Sequence, residues 1–188
     1  MRYITGARTL VFGLLTLLFA ACSSPGIEHY RDRTPMLVPE DFFNGPLTAH
    51  GIIKNRSGAV TRTFNAELVG EWENGQGLLA EHFVFNDGET QLRDWRLIPI
   101  IENGAPAVKS YIATAGDVIG DAKVHVSGNA MFIRYRLSVP YNGKTIEVSV
   151  DDRMYLVSDH VLINQSQLSK WGLNVGEIVL TIIKQDDR

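Results

Sequence analysis

The sequence contains a single cysteine, Cys22, among its 188 residues. An intrachain disulfide is therefore impossible, and a metal site built from several cysteines is excluded. The apolar stretch from Leu10 to Ala21 is shorter than the roughly 20 residues that cross a bilayer as a helix. There is no run of lysine or arginine and the formal net charge is −3, so no nucleic-acid partner is predicted.

Motifs for catalysis, metals and cofactors are also missing. The five histidines show no His-x-His or His-x-x-x-His spacing, so no metal site is predicted. No Gly-x-Ser-x-Gly nucleophile elbow occurs. The segment Gly116 to Gly120 resembles a phosphate loop only superficially, because it lacks the Lys-Ser/Thr pair. The sequence therefore predicts no cofactor and favours a non-enzymatic role.

Residues 1–21 look like a bacterial lipoprotein signal peptide. Arg2 and Arg8 precede the apolar stretch, and small residues lie directly before Cys22. In such signals the cysteine is acylated and begins the mature chain. Each buried acyl methylene contributes about 0.8 kcal/mol to membrane binding, so we expect Cys22 to be lipidated and the protein to be held at a membrane.

The mature chain is predicted to be a tether, 22–40, followed by one domain, 41–188. The tether is polar and carries Pro25, Pro35 and Pro39. Serines directly after the cysteine resemble the pattern of lipoproteins sent to the outer membrane. We therefore expect a lipid-anchored protein of the bacterial envelope, at the outer membrane and facing the periplasm.

The clearest structural pattern lies between Asn129 and Ser158, which reads as one long β-hairpin. Asn142-Gly143 supplies the two residues of positive φ that a type I′ turn requires. Counting outward from this turn pairs Ile133 with Asp152 and leaves one face apolar except at Asp152. Such alternation indicates a sheet that is packed on one side and exposed to water on the other.

About ten strands follow one another along the domain, joined by short turns. They are placed near 47–55, 59–73, 77–86, 89–99, 107–114, 120–128, 130–140, 144–157, 159–165 and 174–184. One late helical piece is predicted at 165–171. Because closing the sheet removes both exposed edges, we predict an all-β fold, an antiparallel meander closed into a barrel of about 8–10 strands. An open sandwich is the alternative.

Two further turns place charged residues on the inner face. Asn74-Gly75 sets the register of the second hairpin and directs Glu81 inward. A three-residue turn at 86–88 then places Glu81 opposite Arg93. A two-residue turn would place Asp94 opposite Glu81, and two facing carboxylates are unfavourable.

The inward residues form the predicted ligand site. An unpaired buried carboxylate is costly; Arg93 can neutralise Glu81, whereas Asp152 has only the Tyr135 hydroxyl nearby. Asp152 is either a polar contact inside a cavity, or it returns to the rim through a bulge at Asp151-Asp152. The ligand-binding candidates are Phe64, Trp72, Glu81, Phe83, Phe85, Arg93, Trp95, Tyr135 and Asp152.

Several short segments in a fixed order carry a family resemblance. They are Phe42-Phe43-Asn44-Gly45, His50-Gly51-Ile52, Arg56-Ser57-Gly58, Glu81-His82-Phe83, Arg93-Asp94-Trp95, Ala115-Gly116-Asp117, Gly128-Asn129-Ala130 and Asp151-Asp152-Arg153-Met154-Tyr155. Together they resemble the bacterial lipoproteins of domain-of-unknown-function family 3833. The resemblance implies a calycin-like barrel and, because relatives tend to accompany lipid-modification genes, a lipid role; it implies no catalytic residue. Arg153 replaces the tryptophan usual in the last segment.

Three functions follow from these observations. We favour an envelope lipoprotein that binds a hydrophobic ligand, a lipid or fatty acyl chain, inside the barrel. The alternative is a structural or protein-interaction lipoprotein with a filled core and no ligand, whose exposed face around Arg134 and Asp151 contacts a partner. A third possibility is a hydrolase or isomerase that uses Glu81 or Asp152.

Overall fold

In the computed structural model, which describes residues 24–101, 109–141 and 143–185, ten antiparallel strands close into a barrel. The predicted all-β meander is therefore confirmed. The signal peptide 1–21, the lipidation site Cys22 and the turn residue Asn142 lie outside the described residues. The strands are β1 (Gly45–Asn55), β2 (Val60–Glu73), β3 (Gln76–Phe85), β4 (Thr90–Pro99), β5 (Lys109–Thr114), β6 (Ala122–Ser127), β7 (Ala130–Tyr141), β8 (Lys144–Ser158), β9 (Val161–Lys170) and β10 (Leu173–Lys184).

Closure is made by the first and last strands. Each strand pairs with the next one in sequence, and β10 returns to pair with β1 from Leu47↔Lys184 to Asn55↔Gly176. No described strand is left with an unpaired edge, so the open sandwich is excluded.

Both hairpin registers predicted from the turns are confirmed. Ile133 pairs with Asp152, and Glu81 pairs with Arg93. Pairing runs without a shift through Arg134↔Asp151 and Ile133↔Asp152, so the proposed bulge at Asp151-Asp152 is wrong. Asp152 stays on the inner face.

The helical piece predicted at 165–171 is wrong, because this segment belongs to β9. Its side chains alternate between buried and exposed, with Asn164 and Ser166 buried, and this is the period of a strand. The strand ends in a turn in which Trp171 and Gly172 have φ of 52° and 78°.

Residues 24–44 pack on the barrel, the first part against Phe132 and Tyr155 on its outer face and the part from Leu37 to Asn44 across one end. They include a 3-10 helix, Ile27–Tyr30, and one α-helical turn, α1 (Pro39–Phe42). The described part of the predicted tether is thus packed on the domain, since Leu37 is only 3% exposed. No helix in the described ranges is long and apolar enough to span a membrane.

Two contacts fix this covering segment. A Cβ atom at Gly70 would lie 1.5 Å from the carbonyl oxygen of Phe43, so only glycine permits the close approach. The Lys184 Nζ atom donates hydrogen bonds to the carbonyl oxygens of Asp41 and Asn44, both at 2.6 Å. The covered end is therefore closed by backbone as well as by apolar side chains.

Replacement of Gly143 by valine tests the register of the long hairpin. Gly143 has φ of 72° and no atom within 4 Å of a built Cβ, so Gly143→Val should cost about 1–2 kcal/mol of unfolding free energy through backbone strain alone. Gly26→Val is the matched control, because Gly26 is equally open but has φ of −74°. Equal stabilities of the two variants in urea denaturation would contradict the assigned turn.

Candidate ligand-binding site

The barrel encloses a cavity of about 380 Å³. This volume lies in the range of about 300–1,000 Å³ found for small-molecule sites. The structure brings together all nine predicted ligand-binding candidates along its wall: Phe64, Trp72, Glu81, Phe83, Phe85, Arg93, Trp95, Tyr135 and Asp152. The interior therefore contains space for a small molecule beside its packed side chains.

The lining extends from the covered end to the opposite end of the barrel. Phe43, which follows α1, lines the covered end. At the opposite end, Arg62 lies over the Phe85 ring, 3.8 Å from its centroid, and its Nη2 atom binds Glu89 at 3.0 Å. Both Arg62 and Glu89 line the cavity, so its mouth is polar while its walls are apolar.

Aromatic rings form much of the wall. The ring centroids of Phe64 and Phe83 are 5.5 Å apart and those of Phe64 and Phe85 are 5.7 Å apart. Across the interior, the Trp95 and Tyr135 rings meet edge to face at 5.4 Å. These contacts hold the rings in place, which leaves a stable apolar surface for a ligand.

A buried charge cluster interrupts the apolar wall. Arg93 donates hydrogen bonds from Nε and Nη2 to Asp117, the shorter at 2.6 Å, whereas its Nη1 atom is 3.9 Å from Glu81 Oε2. The predicted Glu81–Arg93 pair thus exists, but Asp117 is the closer partner. No described residue donates a hydrogen bond to the buried Oε2 atom of Glu81.

Asp152 has two partners that the sequence interpretation missed. Asn164 Nδ2 and Ser166 Oγ both donate to Asp152 Oδ1, the latter at 2.9 Å. Both donors lie on β9, in the segment partly assigned to a helix, and the period-two alternation of that segment was the signal that could have found them. Asp117 was missed because its loop was interpreted only as a turn.

Burial disfavours the charged forms of the two acids. It raises the pKa of Glu81 from 4.5 to about 7, although the nearby Arg93 opposes the shift. Burial also raises the pKa of Asp152 from 3.8 to about 6, against hydrogen bonds from Asn164 and Ser166. The interior can therefore hold or release protons near neutral pH.

On the outer face of β8, the strand that carries Asp152, charged side chains pair with one another. Arg153 donates to Asp151 at 2.9 Å and lies 4.7 Å from the Phe132 ring centroid. Arg153 therefore lies on the outer face of the barrel and does not line the cavity. Arg134 Nε is 3.5 Å from Asp151 Oδ2, so the face proposed for partner binding is a network of ion pairs.

A metal centre is not evident at the site. Within the ranges that the structure describes, no three His, Cys, Asp or Glu side chains lie close enough together to hold a metal ion.

Comparisons with known proteins agree with the fold. The sequence matches the family model described as "Protein of unknown function (DUF3833)" over residues 16–184. No match was found among curated proteins. The S-type phycobiliprotein lyase CPES from Guillardia theta has a similar structure, with a TM-score of 0.59 and 9% identity, covering 87% of this chain and 100% of that chain. Rv2717c from M. tuberculosis has a TM-score of 0.54 and 13% identity, covering 82% and 100%.

The buried acids predict how stability depends on pH. Each acid has a higher pKa in the folded than in the unfolded chain, so the folded state binds more protons and stability should fall as the pH rises from about 4 to about 7. The double variant Glu81→Gln, Asp152→Asn should flatten this fall, as measured by urea denaturation across that range.

Asp151→Asn is the matched control for this experiment. A hydrogen bond from Arg153 lowers the pKa of Asp151, so its contribution to stability is lost only at more acidic pH. An unchanged slope in the double variant, or an equal flattening by Asp151→Asn, would show that the interior acids do not titrate as described.

Proposed function

The chain belongs to the DUF3833 family of proteins of unknown function, and we propose that it binds a hydrophobic small molecule, a lipid or fatty acyl chain, inside its barrel. One observation carries the proposal: the closed barrel contains a cavity of about 380 Å³ beside its packed side chains. Empty apolar volume is costly, because its lining loses contacts that a filled interior would make. A ligand of matching shape restores those contacts.

The wall suits an apolar chain or ring. Leu79, Phe83 and Trp95 line it on neighbouring strands, and Leu168 and Leu180 face them from β9 and β10. Burying apolar surface yields about 25 cal/mol per Å², so a chain enclosed on all sides by such residues would be held without many polar contacts.

We propose further that the barrel acts at a bacterial envelope membrane, anchored through acylated Cys22. The carbonyl oxygen of Pro25 accepts a hydrogen bond from Arg153 Nη1 at 3.3 Å, which attaches the chain to β8. Cys22 precedes Pro25 by only three positions, and a chain spans at most about 3.6 Å per residue. An acyl anchor at Cys22 would therefore keep the barrel close to the lipid from which it takes its ligand.

Filling the cavity tests the proposal. Leu79→Trp places a larger ring into the cavity lining, so it should abolish or strongly reduce the amount of lipid that copurifies with the protein, as measured by mass spectrometry of an organic extract. Val84→Trp is the control: it lies on the same strand, but Val84 faces outward and is 45% exposed. Thermal denaturation verifies that both variants are folded.

Two results would contradict lipid binding in the barrel. One is a wild-type protein that carries no apolar molecule and binds none when lipids are added. The other is equal lipid content in folded Leu79→Trp and Val84→Trp.

A further inference from the structure

The charged side chains of the cavity are mainly acidic. Among the described residues, its lining contains two cations and four carboxyl groups, together with one tyrosine hydroxyl. The titratable groups are Arg62, Glu81, Glu89, Arg93, Asp117, Tyr135 and Asp152. An anionic ligand would therefore enter a region that already contains excess negative charge.

Both cations are already bound to carboxylates of the chain. Arg93 binds Asp117 at 2.6 Å within the cavity. At the mouth, Arg62 binds Asp87 at 2.8 Å and Glu89 at 3.0 Å. A ligand carboxylate or phosphate beside Glu81 would have to compete with Asp117 for Arg93. The donors without a partner among the described lining residues, Arg62 Nε and Trp72 Nε1, lie toward the mouth and the covered end.

The middle of the cavity, between those two ends, offers an unpaired hydrogen-bond acceptor instead. Arg93 Nη1 lies 3.9 Å from Glu81 Oε2, and the Trp95 side chain also interacts with this carboxyl group. Glu81 Oε2 itself is buried and receives no hydrogen bond from a described residue, which is costly for a polar atom. Asp152 lies on the same inner wall and is close enough to Glu81 to interact with it electrostatically. A donor placed between these two carboxyl groups would satisfy the buried acceptor.

We propose that the natural ligand carries a hydrogen-bond donor without negative charge, an amine or hydroxyl group on an apolar body, directed at Glu81 and Asp152. This inference rests on the proposed function, since it assigns the polar part of the molecule held in the barrel. A free fatty acid is thereby disfavoured, and an apolar amine or alcohol is favoured.

The preference should depend on pH in a defined direction. Burial raises the pKa of Glu81 to about 7 and that of Asp152 to about 6, so both become ionised as the pH increases from about 5 to about 8. An alkyl amine stays protonated over this range. Its affinity should therefore rise with pH, while the affinity of a carboxylate probe should fall.

Three probes with the same chain separate these possibilities: dodecylamine, dodecanol and dodecanoate. Binding to the full chain can be followed by tryptophan fluorescence, because Trp72 and Trp95 line the cavity. Trp171 is 90% exposed and is replaced by phenylalanine in every protein to remove its background. We expect the amine and the alcohol to bind at least about tenfold more tightly than dodecanoate at neutral pH.

Substitutions of Glu81 and Asp152 test whether these two acids cause the preference for the amine over the carboxylate. Glu81→Gln and Asp152→Asn should each reduce the ratio of amine to carboxylate affinity and weaken its pH dependence. Asp151→Asn, next in sequence but on the outer face, should change neither. Thermal denaturation confirms folding, and dodecanol, which is uncharged, reports whether a variant still has an intact cavity.

The outcomes distinguish the two proposals. If none of the probes binds, the proposed function fails. If dodecanoate binds as tightly as the amine or more tightly, the cavity still binds apolar molecules but the assigned ligand class is wrong. A preference for the amine that persists in folded Glu81→Gln and Asp152→Asn would also overturn the assignment.

Discussion

The pairing of β1 with β10 is the constraint on which the rest of the structure depends. Side chains alternate along every strand, so a closed sheet turns each inward row toward one common interior. The same closure satisfies the backbone groups that the first and last strands would otherwise expose. With ten strands in the described barrel, the inward rows line this interior without filling it, and the result is a cavity at the centre of the domain.

The interior combines two opposing requirements. Aromatic and aliphatic side chains stabilise the fold by leaving water, whereas buried carboxyl groups oppose it. Hydrogen bonds from Asn164 and Ser166 offset the free-energy cost of burying Asp152. The ion pair with Asp117 does the same for Arg93. Arg93 lies 3.9 Å from Glu81 and offsets part of the cost of burying this carboxyl group, but Glu81 Oε2 receives no hydrogen bond from a described residue. A polar atom left in this state on a cavity wall is explained if a ligand supplies the missing donor.

Much of the fold could be predicted from local sequence. Turns at Asn74-Gly75 and 86–88 set the registers, and those registers brought Glu81 opposite Arg93. Asp117 could not be predicted as a partner of Arg93, because it lies in the loop between β5 and β6 and no strand register specifies the path of a loop. The hollow interior could not be predicted either, since cavity volume depends on how the inward side chains meet across the barrel. Ser166 was within reach of the period-two pattern, but 165–171 was interpreted as a helix. Asn164 fell in the predicted strand 159–165, whose register against the preceding strand was not assigned.

If the barrel binds an apolar molecule as proposed, that molecule occupies the cavity lined by Phe83, Trp95 and Tyr135. A crystal structure of the protein purified without added lipid from the cells that produce it is the decisive experiment. We expect continuous electron density for a bound molecule in the cavity, with its polar group beside Glu81 and Asp152. A cavity without such density, or one filled by rearranged side chains, would refute ligand binding inside the barrel.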